Sequence, residues 1–259
     1  MMCSRVNGRG RAVWLAGAGL AAVVIGACSP SAPPQNLSSV DRFQWSQEKF
    51  DGESYGSAAR GFQDFIIRDP LSPLVDSAQF MLGESYLRSR QELLAVGEFE
   101  RLATTRPNSP VADDAQFGAC RAWWSLSPKL ALDQDYTRQA IAQCTRLLEF
   151  FPSSPLIESA ETIIEEANAK LAAKDHETGR YYFKRRLFES ANIYFEFALS
   201  KAPPRADLVP QILLDMYRSY TAVGFLTEAQ TVQDRLFREY PDSDQALELR
   251  SLVGPDPDG

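Results

Sequence analysis

Apolar residues recur along this chain at helical spacing, in short blocks that each end at a proline. Ala58, Phe62 and Phe65 form the first trio, and the same spacing returns as Ala95, Phe99 and Leu102, then Ala140, Cys144 and Leu147, then Ala191, Phe195 and Ala198. A fifth trio reads Ala229, Gln233 and Leu236, with one polar residue in the middle position. Steps of four and then three residues place each trio on one stripe of a helix. Twelve residues after each alanine stands a proline: Pro70, Pro107, Pro152, Pro203 and Pro241. Proline lacks a backbone donor and cannot continue a helix, so each block predicts a helix closed at its end.

Upstream of the second block lie Leu82-Gly83 and Tyr86, and upstream of the fourth lie Gly179 and Tyr182. Leu-Gly-x-x-Tyr in a first helix, a small residue in the second and a closing proline make up the tetratricopeptide pattern. The predicted fold is therefore all-α, a tetratricopeptide-repeat superhelical solenoid of about five helix pairs. It spans residues 41–253, with N-terminal repeats over 41–151 and C-terminal repeats over 152–253. Arrays of this kind present a long surface to other polypeptides.

The spacing between anchors refines the picture. Ala58 to Ala95 is 37 residues and Ala191 to Ala229 is 38, slightly longer than the usual repeat. The corners read Pro70-Leu-Ser-Pro73, Pro107-Asn-Ser-Pro110 and Pro152-Ser-Ser-Pro155. There the first proline ends one helix, the serine is expected to cap the next, and the second proline suits a first helical turn. Ala95 to Ala140 is 45 residues, which leaves room for a loop at 125–136. Ala140 to Ala191 is 51, yet residues 155–186 contain no proline after Pro155 and only one glycine, so a single helix of unusual length is predicted, with Gly179 the candidate point for a bend.

The first 27 residues differ in kind. Arg5, Arg9 and Arg11 precede an apolar stretch over residues 12–27, the order of a secretory signal, and that stretch is short for a membrane span. It ends Ile25-Gly26-Ala27-Cys28. Small residues before a cysteine resemble the lipobox of bacterial lipoproteins, which implies cleavage before Cys28 and acylation of its thiol; the plain alternative is an ordinary cleaved signal. Ser29 stands where aspartate resembles an inner-membrane retention mark, so the expected address is the outer membrane, facing the periplasm, with the membrane engaged through the lipid. Residues 28–40 read as a lipidated tether, Pro-rich and reaching about 40 Å at full extension. Residues 254–259 read as a frayed tail.

Removal of the signal takes three arginines and no acid, so Lys+Arg falls from 27 to 24 against 34 Asp+Glu, a net charge of −10. So acidic a chain repels phosphate backbones, which argues against a nucleic-acid partner. The sequence offers little for catalysis, metal binding or a cofactor. His176 is the one histidine, flanked by Asp175 and Glu177, and reads as a solvated helix residue; no glycine-rich phosphate loop is present. An enzyme is not expected. Cys120 and Cys144 fall in the two helices of the third repeat, at the register positions of Gly83 and of Phe62, Phe99 and Phe195. They read either as two small buried hydrophobes or as a disulfide in an oxidising compartment. Trp123 and Trp124 read as repeat core and corner packing, the other option being an aromatic for a bound peptide.

Two segments are more distinctive than the repeats: Leu132-Asp-Gln-Asp-Tyr-Thr-Arg-Gln-Ala-Ile141, and Leu171-Ala-Ala-Lys-Asp-His-Glu-Thr-Gly-Arg-Tyr-Tyr-Phe-Lys-Arg185. With the lipobox and the Pro-x-Ser-Pro corners, they resemble the BamD family of lipoproteins in the outer-membrane β-barrel assembly machinery. That resemblance implies a scaffold whose C-terminal repeats bind the POTRA domains of a BamA-like insertase. It also implies neighbouring assembly lipoproteins as partners, and N-terminal repeats that receive the C-terminal strand of unfolded outer-membrane proteins. Arg185 matches an arginine of the family's Tyr-Tyr-x-x-Arg segment, while Tyr194 stands where relatives often carry an arginine implicated in the insertase contact. The expected partner surface is therefore Lys184, Arg185, Arg186 and Tyr194, although three consecutive cations also suit a solvated helix end. The rival reading keeps fold and address but serves another envelope machine, as an adaptor or a secretin pilotin.

Overall fold

The computed structural model describes residues 31–203 and 206–254. Among them are eleven helices and no strand: α1 Ser39–Asp51, α2 Tyr55–Arg68, α3 Val75–Arg88, α4 Glu92–Thr105, α5 Ala112–Ser125, α6 Asp135–Phe150, α7 Ile157–Lys184, α8 Phe188–Lys201, α9 Leu208–Val223, α10 Leu226–Glu239 and α11 Asp244–Val253. Each helix from α1 to α10 packs on the next in sequence, and α3, α5, α7, α9 and α11 also touch in succession. That is the stacking of helix pairs in a tetratricopeptide solenoid, with α11 closing the end. The core is a series of local clusters, each buried by adjoining pairs.

The anchors explain why the pairs close. Ala58, Ala95, Ala140 and Ala191 are fully buried, as are Phe62, Phe99, Cys144 and Phe195 four residues on, whereas Gln233 is half-buried. Facing Phe99 and Phe195 is a glycine on the preceding helix. A Cβ on Gly83 would lie 2.6 Å from the Phe99 ring, and one on Gly179 would lie 2.5 Å from the Phe195 ring. Both separations are 16 residues, and in the third repeat the pair is Cys120 and Cys144, separated by 24. Most of the extra length lies in the loop over 126–134. Phe99 is pressed from its other side by Gly118 of the next pair, where a Cβ would come within 2.7 Å.

Helix ends follow the prolines. The C-cap residues of α2, α4, α6, α8 and α10 are Asp69, Arg106, Phe151, Ala202 and Tyr240, in every case the residue before the proline. Proline disfavours helical backbone in its predecessor, so the chain turns there. The corner serines act differently from expectation. The N-caps of α3, α5 and α7 are Leu74, Val111 and Leu156, without a side-chain cap. Ser72 and Ser154 instead accept from the N–H groups of Leu74 and Leu156 at 3.3 and 3.2 Å, tightening the turn that precedes the helix. A true serine cap occurs at Ser243, whose Oγ accepts from the Ala246 N–H at 3.2 Å.

The turns inside the pairs share a second device. Glu53, Arg90, Arg186 and Gly224 all have positive φ, between 56° and 81°. After α3, α7 and α9 the next N–H bonds back to a carbonyl one turn inside the helix: Gln91 to Tyr86, Leu187 to Tyr182 and Phe225 to Tyr220. This is a Schellman-type ending, usually built on glycine and here built twice on arginine. The long helix α7 runs 28 residues. Gly179 does not interrupt it and serves instead to admit Phe195.

Candidate partner-binding surface

Helix α7 ends at Lys184, Arg185 is its C-cap, and Arg186 takes the left-handed turn into α8. All three side chains are exposed, and among the described residues none is paired with a carboxylate. Arg185 is not simply solvated, because its guanidinium lies 3.6 Å from the centre of the Tyr181 ring. Tyr181 meets Tyr182 edge-on at 5.5 Å, and Tyr182 stacks on Tyr194 at 5.3 Å with an interplanar angle of 14°. Tyr194 in turn meets Phe197 edge-on at 6.1 Å, and the Lys201 ammonium sits 5.6 Å over Phe197.

Of the expected residues, Arg185 and Tyr194 thus belong to a longer strip of four rings with a cation at each end, spread over α7 and α8, whereas Lys184 and Arg186 stand exposed beside it. Tyr181, Ile193 and Phe197 are each about half exposed, at 51%, 49% and 50%. Arg185 and Tyr194 were expected from the sequence as candidate partner residues, whereas their neighbours Tyr181, Tyr182, Phe197 and Lys201 were not. The signal was available in the paired tyrosines and in the spacing 194, 197, 201, which places one face of α8 beside the end of α7. The rings offer rigid apolar area, and Arg185 brings a cation without a carboxylate partner to one end, whereas the Lys201 ammonium at the other end is paired with Asp175.

The two distinctive sequence segments meet in space. Gln134 is fully buried and its Nε2 donates to the carbonyls of Lys129 and Leu132 at 3.0 Å each, while its Oε1 accepts from Thr137 Oγ1 at 2.7 Å. From α7, Lys170 donates to Ser127 Oγ at 2.6 Å and Lys174 donates to the Leu132 carbonyl at 2.6 Å. Desolvation against this loop holds the Lys170 ammonium below its ordinary pKa. The loop after α5 is thereby fixed from within and bolted to the long helix. Trp124 lies beneath the Lys170 ammonium at 5.4 Å, and Trp123 donates from Nε1 to Glu100 at 2.9 Å; both are half-buried packing residues.

A concavity of about 510 Å³ opens between the ends of α4 and α6, lined by Ala103, Thr104, Pro107, Asn108, Gln116, Arg146, Phe150 and Phe151. Phe150 is 71% exposed there.

His176 is the clearest correction to the sequence reading. It is 4% exposed, and its Nε2 lies 2.9 Å from Asp215 Oδ2 on α9. The bend of the solenoid brings α9 over α7, which turns an expected surface residue into a bridge. Cys120 and Cys144 are bonded in the structure, fully buried, with Cα atoms 4.9 Å apart. Cys28 lies outside the described residues. Among the described residues no group of three or more histidine, cysteine or carboxylate side chains is placed to hold a metal ion. No described helix is long and apolar enough to cross a membrane.

The stacked helix pairs define a tetratricopeptide-repeat solenoid. Residues 35–236 match the family described as YfiO, outer membrane lipoprotein, and the chain belongs to that family. It is 22% identical over 227 residues to the outer membrane protein assembly factor BamD of Caulobacter vibrioides, a match covering 86% of this chain and 74% of the relative. Among solved structures, the TPR2AB-domain:pHSP90-complex of yeast Sti1 aligns over 83% of this chain and 84% of its own, at 9% identity and a TM-score of 0.42. A thermophilic TPR protein of Thermus thermophilus aligns over 83% and 97%, at 16% identity and a TM-score of 0.37. The family and the relative associate the chain with outer-membrane assembly.

Proposed function

We propose that this protein is the lipid-anchored periplasmic scaffold of an outer-membrane β-barrel assembly complex. In this reading Cys28 carries the acyl anchor, and the strip from Arg185 through Tyr182 and Tyr194 to Lys201 docks a POTRA domain of a BamA-like insertase. The observation that carries it is the Tyr182–Tyr194 stack, which sets an ordered aromatic surface beside the basic turn. Three cations at the end of α7 steer an acidic partner, and the rings supply the buried area. The groove around Arg146 and Phe150 receives the C-terminal strand of unfolded outer-membrane proteins, its guanidinium facing a terminal carboxylate and its phenylalanines an aromatic side chain.

The test is a titration of the insertase's periplasmic POTRA region with wild type, Tyr194→Ala, and Arg185→Glu combined with Arg186→Glu. Loss of a central aromatic of this size is expected to weaken binding by about tenfold. The charge reversal is expected to weaken it further at low salt than at moderate salt. Equal affinity for all three proteins, with unchanged melting temperatures, removes the interface from this surface. Co-purification with a secretin in place of a POTRA protein would assign the scaffold to a different envelope machine.

A further inference from the structure

The residues before α1 are not a loose spacer. The Ser31 N–H and Ser31 Oγ both donate to Ser57 Oγ, at 2.9 and 3.1 Å. Ser57 is the third residue of α2, close to the turn that joins α1 to α2. At the other end, the buried Arg42 donates from Nη2 to the Leu37 carbonyl at 3.1 Å and from Nη1 to Asp69 at 2.6 Å, just past the C-terminus of α2. Residues 31 to 37 therefore run the length of α2. The distances are compatible: twelve residues of helix from Ser57 to Asp69 rise about 18 Å, and the six steps from Ser31 to Leu37 span at most about 20 Å, less where the chain turns at Gln35 and Asn36. Pro33 and Pro34 keep the first half of that stretch extended before a turn at Gln35 and Asn36, and Pro33 and Leu37 are half-buried against the repeat.

We infer that residues 31–38 form a strap that returns the chain along the first helix pair, so that the α1–α2 turn, residues 49–55, is the face of the array held against the lipid headgroups. The inference rests on the reading of Cys28 as the lipid anchor. Only three Cα-to-Cα steps lead from Cys28 to Ser31, a leash of about 10 Å, against about 35 Å if the whole segment to Ser38 swung free. A leash that short fixes which end of the repeat meets the membrane. The turn itself carries both signs of charge, with exposed Asp51 and Glu53 beside Lys49, which suits a zwitterionic headgroup layer. Trp45, under the Lys49 ammonium at 5.3 Å, and Tyr55, edge-on to Phe50 at 5.3 Å, are ring types favoured at membrane interfaces. Leu71, 96% exposed at the opposite end of α2, is the more apolar residue, yet the strap turns it away from the anchor.

The experiment places a photoreactive benzophenone side chain at position 53 or position 71 of the full-length lipoprotein, reconstituted in phosphatidylethanolamine vesicles that contain a radiolabelled tracer lipid. Several-fold more lipid adduct from 53 than from 71 is expected. Ser57→Ala removes both hydrogen bonds that pin Ser31, and it is expected to bring the two yields together. Equal yields in wild type, a higher yield at 71, or adducts at 53 formed only with protein would each overturn the strap. Intact mass on the same samples reports acylation: a chain without acyl groups overturns the anchor reading and the strap's role with it, whereas an acylated chain with the wrong ratio overturns the strap alone.

Discussion

His176 and Asp215 hold the fourth and fifth repeats together through one buried contact, with Nε2 of the ring 2.9 Å from Oδ2 of the carboxylate. The carboxylate also accepts from Gln211 Nε2 at 3.2 Å, and Arg218 and Arg180 approach it at 3.6 and 3.9 Å. The imidazole packs against Phe195, 5.6 Å between centroids. Asp215→Ala would strand the ring nitrogen in the core, at a cost of about 1–3 kcal/mol. Because the groups act as a pair, a double-mutant cycle with His176→Ala is expected to show a coupling of about 0.5 kcal/mol or more, read from chemical denaturation. Additive effects would mean that the contact holds nothing.

The disulfide occupies the slot of a glycine and phenylalanine pair. Reduction of wild type is expected to cost about 2–4 kcal/mol, seen as a lower melting temperature with reductant. Cys144→Phe alone puts a ring against Cys120 and overpacks the site, whereas Cys120→Gly with Cys144→Phe rebuilds the Gly83–Phe99 arrangement. The double variant should melt above the single one and be indifferent to reductant. A double variant less stable than Cys144→Phe would show that the third repeat does not share the register of the others.

Arg186 bears a left-handed backbone, φ 60°, in a turn where glycine is the usual residue. Arg186→Gly relieves that strain while freeing the unfolded chain, for a net gain of about 0.5 kcal/mol. It also removes one of the three cations proposed to steer the partner. A higher melting temperature together with weaker POTRA binding would therefore separate binding from folding. Arg90→Gly makes the same backbone change in the second repeat, φ 62°, and is expected to raise stability and leave binding unaltered.

Tyr220 is buried, donates its hydroxyl to Glu196 at 2.6 Å, and has its pKa pushed well above the ordinary phenol value, first by desolvation and then by Glu196. In the folded state the proton is held more tightly than in the unfolded chain. The stabilisation is therefore fully present below about pH 10 and is lost as pH rises beyond it. Melting curves from pH 8 to 11 should fall more steeply for wild type than for Tyr220→Phe. Parallel curves would mean that the hydroxyl ionises as freely in the folded protein as in the unfolded one.

The sequence by itself determined the array. Small anchors at Ala58, Ala95, Ala140, Ala191 and Ala229, and prolines twelve residues later, are local signals, because helix periodicity and proline sterics act within a few residues of chain. The length of α7 followed from the same signals, and the loop before α6 from the excess spacing. What only the tertiary structure decided was which residues from different helices meet. His176 looked solvated because its neighbours in sequence are acids, and its true partner lies 39 residues away on α9. Tyr182 and Tyr194 stack because the turn at Arg186 folds α8 back on α7, and Lys174 reaches the Leu132 carbonyl because the third pair packs under the long helix. Such contacts depend on how one helix pair is rotated on the next, and that rotation is set by summed side-chain packing with no short motif to announce it.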